Sequence, residues 1–170
     1  MDEKLLLLGM LRQQQMHGYQ LFEFIDRDMS ACVDLKKPTA YYLLQRMAQD
    51  GWIDERQEQE GNRPLRKVYR LTGQGEAAFQ RLLRENLSSY LSPSFAGDIG
   101  LAFLDALEPA EALRLLSQRR SAISAALSAV EQAPQHQGSL QWMIEHQKHH
   151  LKTELDWVES LLAHLEKPGE

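Results

Sequence analysis

The apolar pattern of this chain changes from a helical period to an alternating one at Gly51. Before that glycine, apolar residues recur every three or four positions. This spacing predicts three helices, over about residues 3–14, 18–29 and 38–50. After the glycine, residues 52–57 and 66–71 alternate polar and apolar side chains, and each run predicts a strand. Turn-forming residues separate the two runs, so they predict a two-stranded hairpin.

The third helical segment has two contrasting faces. Its apolar side consists of Ala40, Leu43, Leu44 and Met47, which at 100° per residue cover about a third of the circumference. The other side carries polar, aromatic and amide groups and no carboxylate: Pro38, Tyr41, Tyr42, Gln45, Arg46 and Gln49. A merely solvated face on a chain of net charge −5 is expected to include Asp or Glu. Amide, guanidinium and phenol groups pair with base edges and phosphates, so this face is a candidate DNA-reading surface.

Three short helices followed by a hairpin is the element order of a winged helix-turn-helix, in which a recognition helix enters the major groove. The returning strand supports this interpretation, because residues 61–72 hold four cations and no acid: Arg63, Arg66, Lys67 and Arg70. Residues 1–90 hold 13 basic and 13 acidic residues, so the excess of acid is confined to residues 91–170. The local basic segment predicts phosphate contacts from the wing.

The rest of the chain predicts a second, wholly helical domain. A helix over about 73–91, capped by Thr72, closes the first domain, and Ser92-Pro93-Ser94 marks a boundary. Further helices are predicted over about 97–107, 109–132 and from 139 onward, the last with leucines at near-heptad spacing. The predicted fold is mainly α: an α+β winged-helix DNA-binding domain at 1–90, with a two-stranded wing, and a helical dimerisation domain at 95–170. The first helix, apolar on nearly all sides, is expected to assist the dimer.

Three segments stand out as motifs: Met16-His17-Gly18-Tyr19-Gln20-Leu21, Thr39 to Met47, and Gly61 to Thr72. Together they resemble the PadR-type transcriptional regulators over residues 5–90. The resemblance implies a dimeric repressor whose C-terminal helices form the dimer and which responds to small hydrophobic or phenolic effectors. Tyr42 departs from the family, which usually carries proline there. The candidate DNA-contact residues are Lys37, Thr39, Tyr41, Tyr42, Gln45, Arg46, Arg63, Arg66 and Lys67.

The sequence and the resemblance together predict a homodimeric repressor that reads an inverted-repeat operator. Its expected partners are double-stranded DNA, a second copy of the chain and a small planar or phenolic effector, with no cofactor and no membrane. The rival interpretation is a helical interaction adaptor of winged-helix shape that binds no DNA. An enzyme is not predicted, because no phosphate loop, nucleophile elbow or paired-carboxylate pattern is present. A single cysteine and an N-terminus without a signal-peptide pattern predict the cytoplasm.

Features of the second half allow two interpretations each. His146, His150 and Glu154 follow one another at four-residue steps and can either ligate a metal or flank a dimer seam, which is the favoured interpretation. Trp142, beside the polar hinge, is the candidate wall of an effector pocket, although dimer packing also explains it. Trp157 is expected in the helical core.

Three features of the first half also allow two interpretations each. Cys32 is either a redox sensor or an inert thiol. Tyr69 either packs beneath the wing or is exposed at the surface of the wing. The segment His17-Gly18-Tyr19 either contacts the DNA backbone or locks an internal turn, and the internal role is favoured.

Overall fold

The computed structural model describes residues 2–25, 35–59, 65–90, 92, 95 and 97–167. Cys32 and Arg63, two of the residues singled out from the sequence, lie outside this part of the chain. Contacts divide the chain into two compact units, Met1–Ser92 and Pro93–Glu170. Each unit is described by itself below.

In its described residues, the first unit combines four helices with a small antiparallel sheet. In chain order its elements are α1 (Asp2–Gln13), β1 (Met16–His17), α2 (Gly18–Phe24), α3 (Lys37–Gln49), β2 (Ile53–Glu58), β3 (Arg66–Leu71) and α4 (Gly73–Ser88). The strand order is β1-β3-β2, so a third strand joins the predicted two-stranded wing. This strand was missed because two residues are too short to show an alternating pattern. The α+β winged-helix fold is confirmed.

The core of this unit explains why α1 is apolar on nearly all sides. Leu7 and Leu8 are fully buried, Met10 and Leu11 nearly so, and Leu6 packs half-buried against the same core. The helix contacts α3, α4 and β3, so several of its faces are covered within one unit. The wing and α4 therefore cover apolar surface of α1 that was expected, in part, to contact the second subunit of a dimer.

The junction between α3, the wing and α4 is fixed by backbone contacts. Gly51 ends α3 with a φ of +73°, a left-handed conformation that suits glycine. The Thr72 hydroxyl donates to the Gly51 carbonyl at 2.7 Å and accepts from the Gly75 amide at 3.0 Å, which caps α4 as predicted. A Cβ on Gly75 would lie 1.9 Å from the Trp52 carbonyl oxygen, so only glycine allows this approach. The wing is thereby held at a fixed position relative to α3.

The second unit is a pair of long helices with short helical pieces before them. Its elements are α5 (Asp98–Leu101), a 3-10 helix (Leu104–Ala106), α6 (Pro109–Glu131) and α7 (Ser139–Leu165). The single helix predicted over 97–107 was wrong. No residue of either short piece is fully buried, and only Leu101 and Leu104 pack, partly buried, against the core of this unit, so little packing stabilises a longer helix. Within the described residues, no helix is long and apolar enough to span a membrane.

Arg119 on α6 contacts residues of α5 and α7 and so joins three elements of the second unit. Its guanidinium donates to Glu154 on α7, lies 3.6 Å from an Asp98 carboxylate oxygen on α5, and sits 5.7 Å from the Trp157 ring centroid. Trp157 is 44% exposed and lies outside the core cluster of this unit, so the expectation that it packs in the helical core was wrong. The arginine covers the ring instead.

Candidate nucleic-acid interface

The two faces of α3 are those that the sequence predicts. Its buried residues are Ala40, Leu43, Leu44 and Met47. On the other side the candidate contact residues are all exposed: Lys37, Thr39, Tyr41, Tyr42, Gln45 and Arg46. Tyr42, at the position where the resemblance leads one to expect proline, is 60% exposed. The helix therefore presents an uninterrupted face of amide, phenol and cationic groups, and no carboxylate lies on it.

Within the part of the chain that the structure describes, the side chain of the N-cap residue does not cap the start of α3. Its N-cap residue, Lys36, has extended backbone angles, and its side chain makes no capping hydrogen bond. Pro38 stands in the first turn, as predicted, and no acidic residue is present there. A helix start without a side-chain cap leaves backbone N–H groups and the positive end of the helix dipole for another acceptor. Phosphate is the acceptor that such a start commonly binds.

Tyr41 joins α3 to α2, a role that the sequence analysis did not assign to it. Its ring centroid lies 4.8 Å from that of Phe22, with the planes tilted by 55°. A Cβ built on Gly18 would be 3.1 Å from Tyr41 Cε1, so the glycine makes room for the ring. This contact gives Gly18 an internal packing role. The ring is still 47% exposed, so one edge faces solvent beside the reading face.

A cleft of about 600 Å³ lies between the start of α2, Tyr41 and the first residues of β3. Its walls include Tyr19, Gln20 and Arg66. The Tyr19 hydroxyl hydrogen-bonds to Glu23, which raises the pKa of Tyr19. The cleft thus brings part of the His17-Gly18-Tyr19 motif to the same surface as α3 and the wing.

His17 is held by its backbone. The His17 amide donates a hydrogen bond to Gln20 Oε1 at 3.0 Å, and His17 pairs with Val68 in the antiparallel β1–β3 ladder. Its buried Nδ1 has no hydrogen-bond partner within the described part of the chain. Because the backbone contacts fix the turn into α2, they support the favoured internal role for this motif.

Tyr69 packs beneath the wing. It is 2% exposed, between Met16 of β1 and Glu55 of β2 in the sheet register. Burial raises the pKa of Tyr69 to about 12, with further contributions from the negative charge of Glu55 and from Tyr41. Of the two interpretations of this tyrosine, the structure selects packing.

The wing is less basic than β3 alone suggests. In the register of the two long strands, Asp54 lies opposite Arg70 and Glu58 lies opposite Arg66. Glu55 forms an ion pair with Lys67, with 2.8 Å between Oε1 and Nζ. The expectation of a strongly basic wing considered residues 61–72 alone. The acidic residues of β2 are visible in the sequence, but their effect depends on the strand register.

The remaining candidates of the second unit are spread over its surface. Trp142 is 76% exposed, so within its own unit it does not line a closed cavity. The ring centroids of His146 and His150 are 6.4 Å apart, whereas Glu154 is engaged by Arg119. Within the described residues, no group of three or more His, Cys, Asp or Glu side chains is arranged to hold a metal ion.

Several known proteins are similar to this chain. A crystal structure of Bacillus subtilis PadR in complex with operator DNA matches with a TM-score of 0.83 and 21% identity, over 95% of this chain and 98% of that one. A crystal structure of Bacillus subtilis PadR in complex with p-coumaric acid matches with a TM-score of 0.76 and 19% identity, over 97% and 96%. A PadR-like transcriptional regulator from Bacillus cereus matches with a TM-score of 0.74 and 13% identity, over 96% and 98%. No curated protein sequence matches the chain.

These structural likenesses show a shared fold. The sequence match is more specific, since residues 7–81 fit the profile of the transcriptional regulator PadR-like family. That span begins in α1, contains the whole sheet with α2 and α3, and ends in α4. The winged-helix unit of this chain therefore carries the sequence pattern of the transcriptional regulator PadR-like family.

Proposed function

We propose that this chain is a homodimeric transcriptional repressor that binds an inverted-repeat operator in double-stranded DNA. The observation that carries the proposal is the outer face of α3, which is exposed, free of carboxylates and opposite a fully packed face. Its relative from Bacillus subtilis was crystallised with operator DNA, and the family is one of transcriptional regulators. A helix with one packed face and one open polar face is what insertion into a major groove requires.

The residues of α3 divide into two roles. Gln45 and Arg46 lie in the second half of α3 and carry groups that pair with adenine and guanine edges, so they are proposed to read the sequence. Lys37, Thr39 and Tyr41 lie at its start and anchor it to phosphates, alongside the uncapped backbone amides. Tyr42 offers its ring to a thymine methyl group or its hydroxyl to a phosphate. Arg66 of the wing adds a further phosphate contact.

The second unit supports the proposal that two copies of the chain associate. Its buried apolar residues are few: Ala112, Leu116, Leu127, Val158 and Leu162. Its large exposed apolar residues are Phe95, Ile99, Phe103, Leu107, Leu115, Trp142, Trp157 and Leu165. So much exposed apolar surface on so small a core marks an association surface. A two-fold dimer presents two copies of α3 about 34–36 Å apart, or a multiple of that spacing, to the two halves of an inverted repeat.

A small planar or phenolic effector is proposed to control the repressor. The Bacillus subtilis relative was crystallised with p-coumaric acid. Trp142 is the proposed aromatic wall of the effector site, which two subunits complete, because its ring is exposed in a single chain.

The proposal is tested by a footprint on the DNA that flanks the coding region. Inverted repeats in that DNA are placed in labelled duplexes and titrated with the full-length chain. Protection of both half-sites, on the same face of the duplex, is expected. A helical adaptor of winged-helix shape gives no protection at near-physiological salt, and that result would reject DNA binding as the function.

A further inference from the structure

One carboxylate of the wing faces a candidate DNA-contact cation at ion-pair distance. Among the candidate cations that the structure describes, Lys67 is the one held in an ion pair, with Glu55. Glu55 lies directly opposite Tyr69 in the strand register, and Lys67 precedes Tyr69 by two residues. Glu55 and Lys67 are therefore diagonal neighbours on the same face of the hairpin, a separation that long side chains bridge.

The two side chains of this ion pair differ in exposure. The Glu55 side chain is 28% exposed, whereas that of Lys67 is 56% exposed. The carboxylate is thus partly enclosed by the sheet, and the lysine reaches over it from the solvent side. A phosphate that approaches this face meets a lysine whose charge is already balanced by a nearby anion.

We propose that Glu55 attenuates the wing: it neutralises Lys67 and so lowers the affinity of the protein for DNA of any sequence. The inference rests on the proposed function. Sequence-independent affinity arises mainly from cations that displace counterions from phosphates. A lysine balanced by a fixed carboxylate displaces fewer of them. Because the wing contacts phosphates and not bases, the same loss applies to operator and random DNA, so the attenuation weakens binding to all DNA and leaves the preference for the operator unchanged.

A second role for Glu55 makes the opposite prediction. If the carboxylate holds Lys67 in the geometry that a phosphate needs, removal of the carboxylate weakens DNA binding. If the carboxylate attenuates, its removal strengthens DNA binding. The substitution Glu55→Gln distinguishes the two roles because it keeps the size of the side chain and removes only its charge.

The experiment measures full-length protein against a fluorescent duplex of random sequence over a range of salt concentrations. The variants are Glu55→Gln, Lys67→Gln and the double variant that carries both changes. Glu55→Gln is expected to steepen the plot of log affinity against log salt by up to about 0.9 per protomer, or about eightfold in affinity for a tenfold fall in salt. The double variant is expected to bind within about twofold of the wild type, because the local net charge returns to its original value.

The matched control is Glu85→Gln on α4. It removes a carboxylate from another exposed pair, with Arg81 at 3.6 Å, on a helix that holds none of the candidate DNA-contact residues. This control changes the net charge by the same amount. Only a change in the salt dependence of duplex affinity that exceeds the change in the control is therefore attributed to Glu55. If Glu55→Gln fails to fold, Glu55→Thr removes the same charge with a strand-favouring residue.

The outcomes are separable. Unchanged or weaker binding by folded Glu55→Gln overturns the attenuation, while the wild type still binds the duplex and the proposed function stands. A wild type that binds no duplex at any salt concentration overturns the proposed function and the attenuation with it.

Discussion

The ring of Tyr41 on α3 lies against Gly18, the first residue of α2, and a Cβ there would stand 3.1 Å from the ring. Tyr41 also meets Phe22 of the same helix. The angle between the supporting helix and the reading helix therefore depends on the absence of a side chain at residue 18.

Replacement of Gly18 by Val is expected to displace Tyr41 and to reduce operator affinity. Overpacking at such a contact costs about 1–3 kcal/mol of the free energy of unfolding, which urea denaturation measures. Gly73→Val is the matched control, because Gly73 also begins a helix and has open space where a Cβ would stand. Equal losses in the two variants would show that helix propensity, and not the Tyr41 contact, explains the effect.

Gln45→Ala is expected to relax sequence preference at one or two base positions by about 1–3 kcal/mol, since a bidentate amide contact is lost. Affinity for random duplex is expected to stay nearly constant. Competition binding with a set of single-base operator variants measures both quantities. Gln118→Ala, at an exposed glutamine of α6 outside the candidate DNA-contact residues, serves as the control. A uniform loss of affinity for all sequences in Gln45→Ala would mean that this residue anchors the helix and does not read bases.

Burial of Tyr69 predicts a loss of stability at alkaline pH. Its pKa is about 12 in the folded chain, above the ordinary value of 10.0, so the folded state keeps a proton that the unfolded state loses. The free energy of unfolding is therefore expected to fall as the pH rises from 10 to 12, by roughly 2–3 kcal/mol in total. Denaturation across this range, with Tyr69→Phe as the reference, isolates the tyrosine. A Phe variant with the same pH dependence would contradict the assignment.

Truncation after Tyr90 is expected to leave a folded monomer. The first unit has its own core, which includes Leu7, Leu8 and Leu44, whereas the exposed apolar surface of the second unit is removed. Such a monomer is expected to lose much more affinity for the full operator than the loss of the contacts of one half-site would cause. The reason is that the two copies of α3 are no longer linked. Light scattering and titration measure the two effects. A dimeric fragment that binds the operator normally would place the dimer contact in the winged-helix unit.

The reading face of α3 could be predicted from sequence because it depends on local periodicity. Ala40, Leu43, Leu44 and Met47 repeat at helical spacing, and the structure buries all four. Gly51 and Thr72 likewise mark their helix ends by local chemistry. These features need no knowledge of distant residues.

Features that depend on distant pairing were not found in this way. β1 is visible only as a partner of Tyr69 and Val68 in β3. The pairing of acidic and basic residues in the wing follows from the strand register, which places Asp54 and Glu58 opposite cations. The role of Tyr41 depends on a glycine in another helix, and sequence periodicity carries no information about such a contact.

The salt dependence of duplex binding by the full-length chain tests the central claim most directly. With at least one wing cation on a phosphate in each of two protomers, the plot of log affinity against log salt is expected to fall with a slope of about −2 or steeper. An inverted-repeat duplex is expected to bind more tightly than a random one at every salt concentration. A slope near zero, or no binding at near-physiological salt, would contradict DNA recognition and favour an interaction adaptor of winged-helix shape.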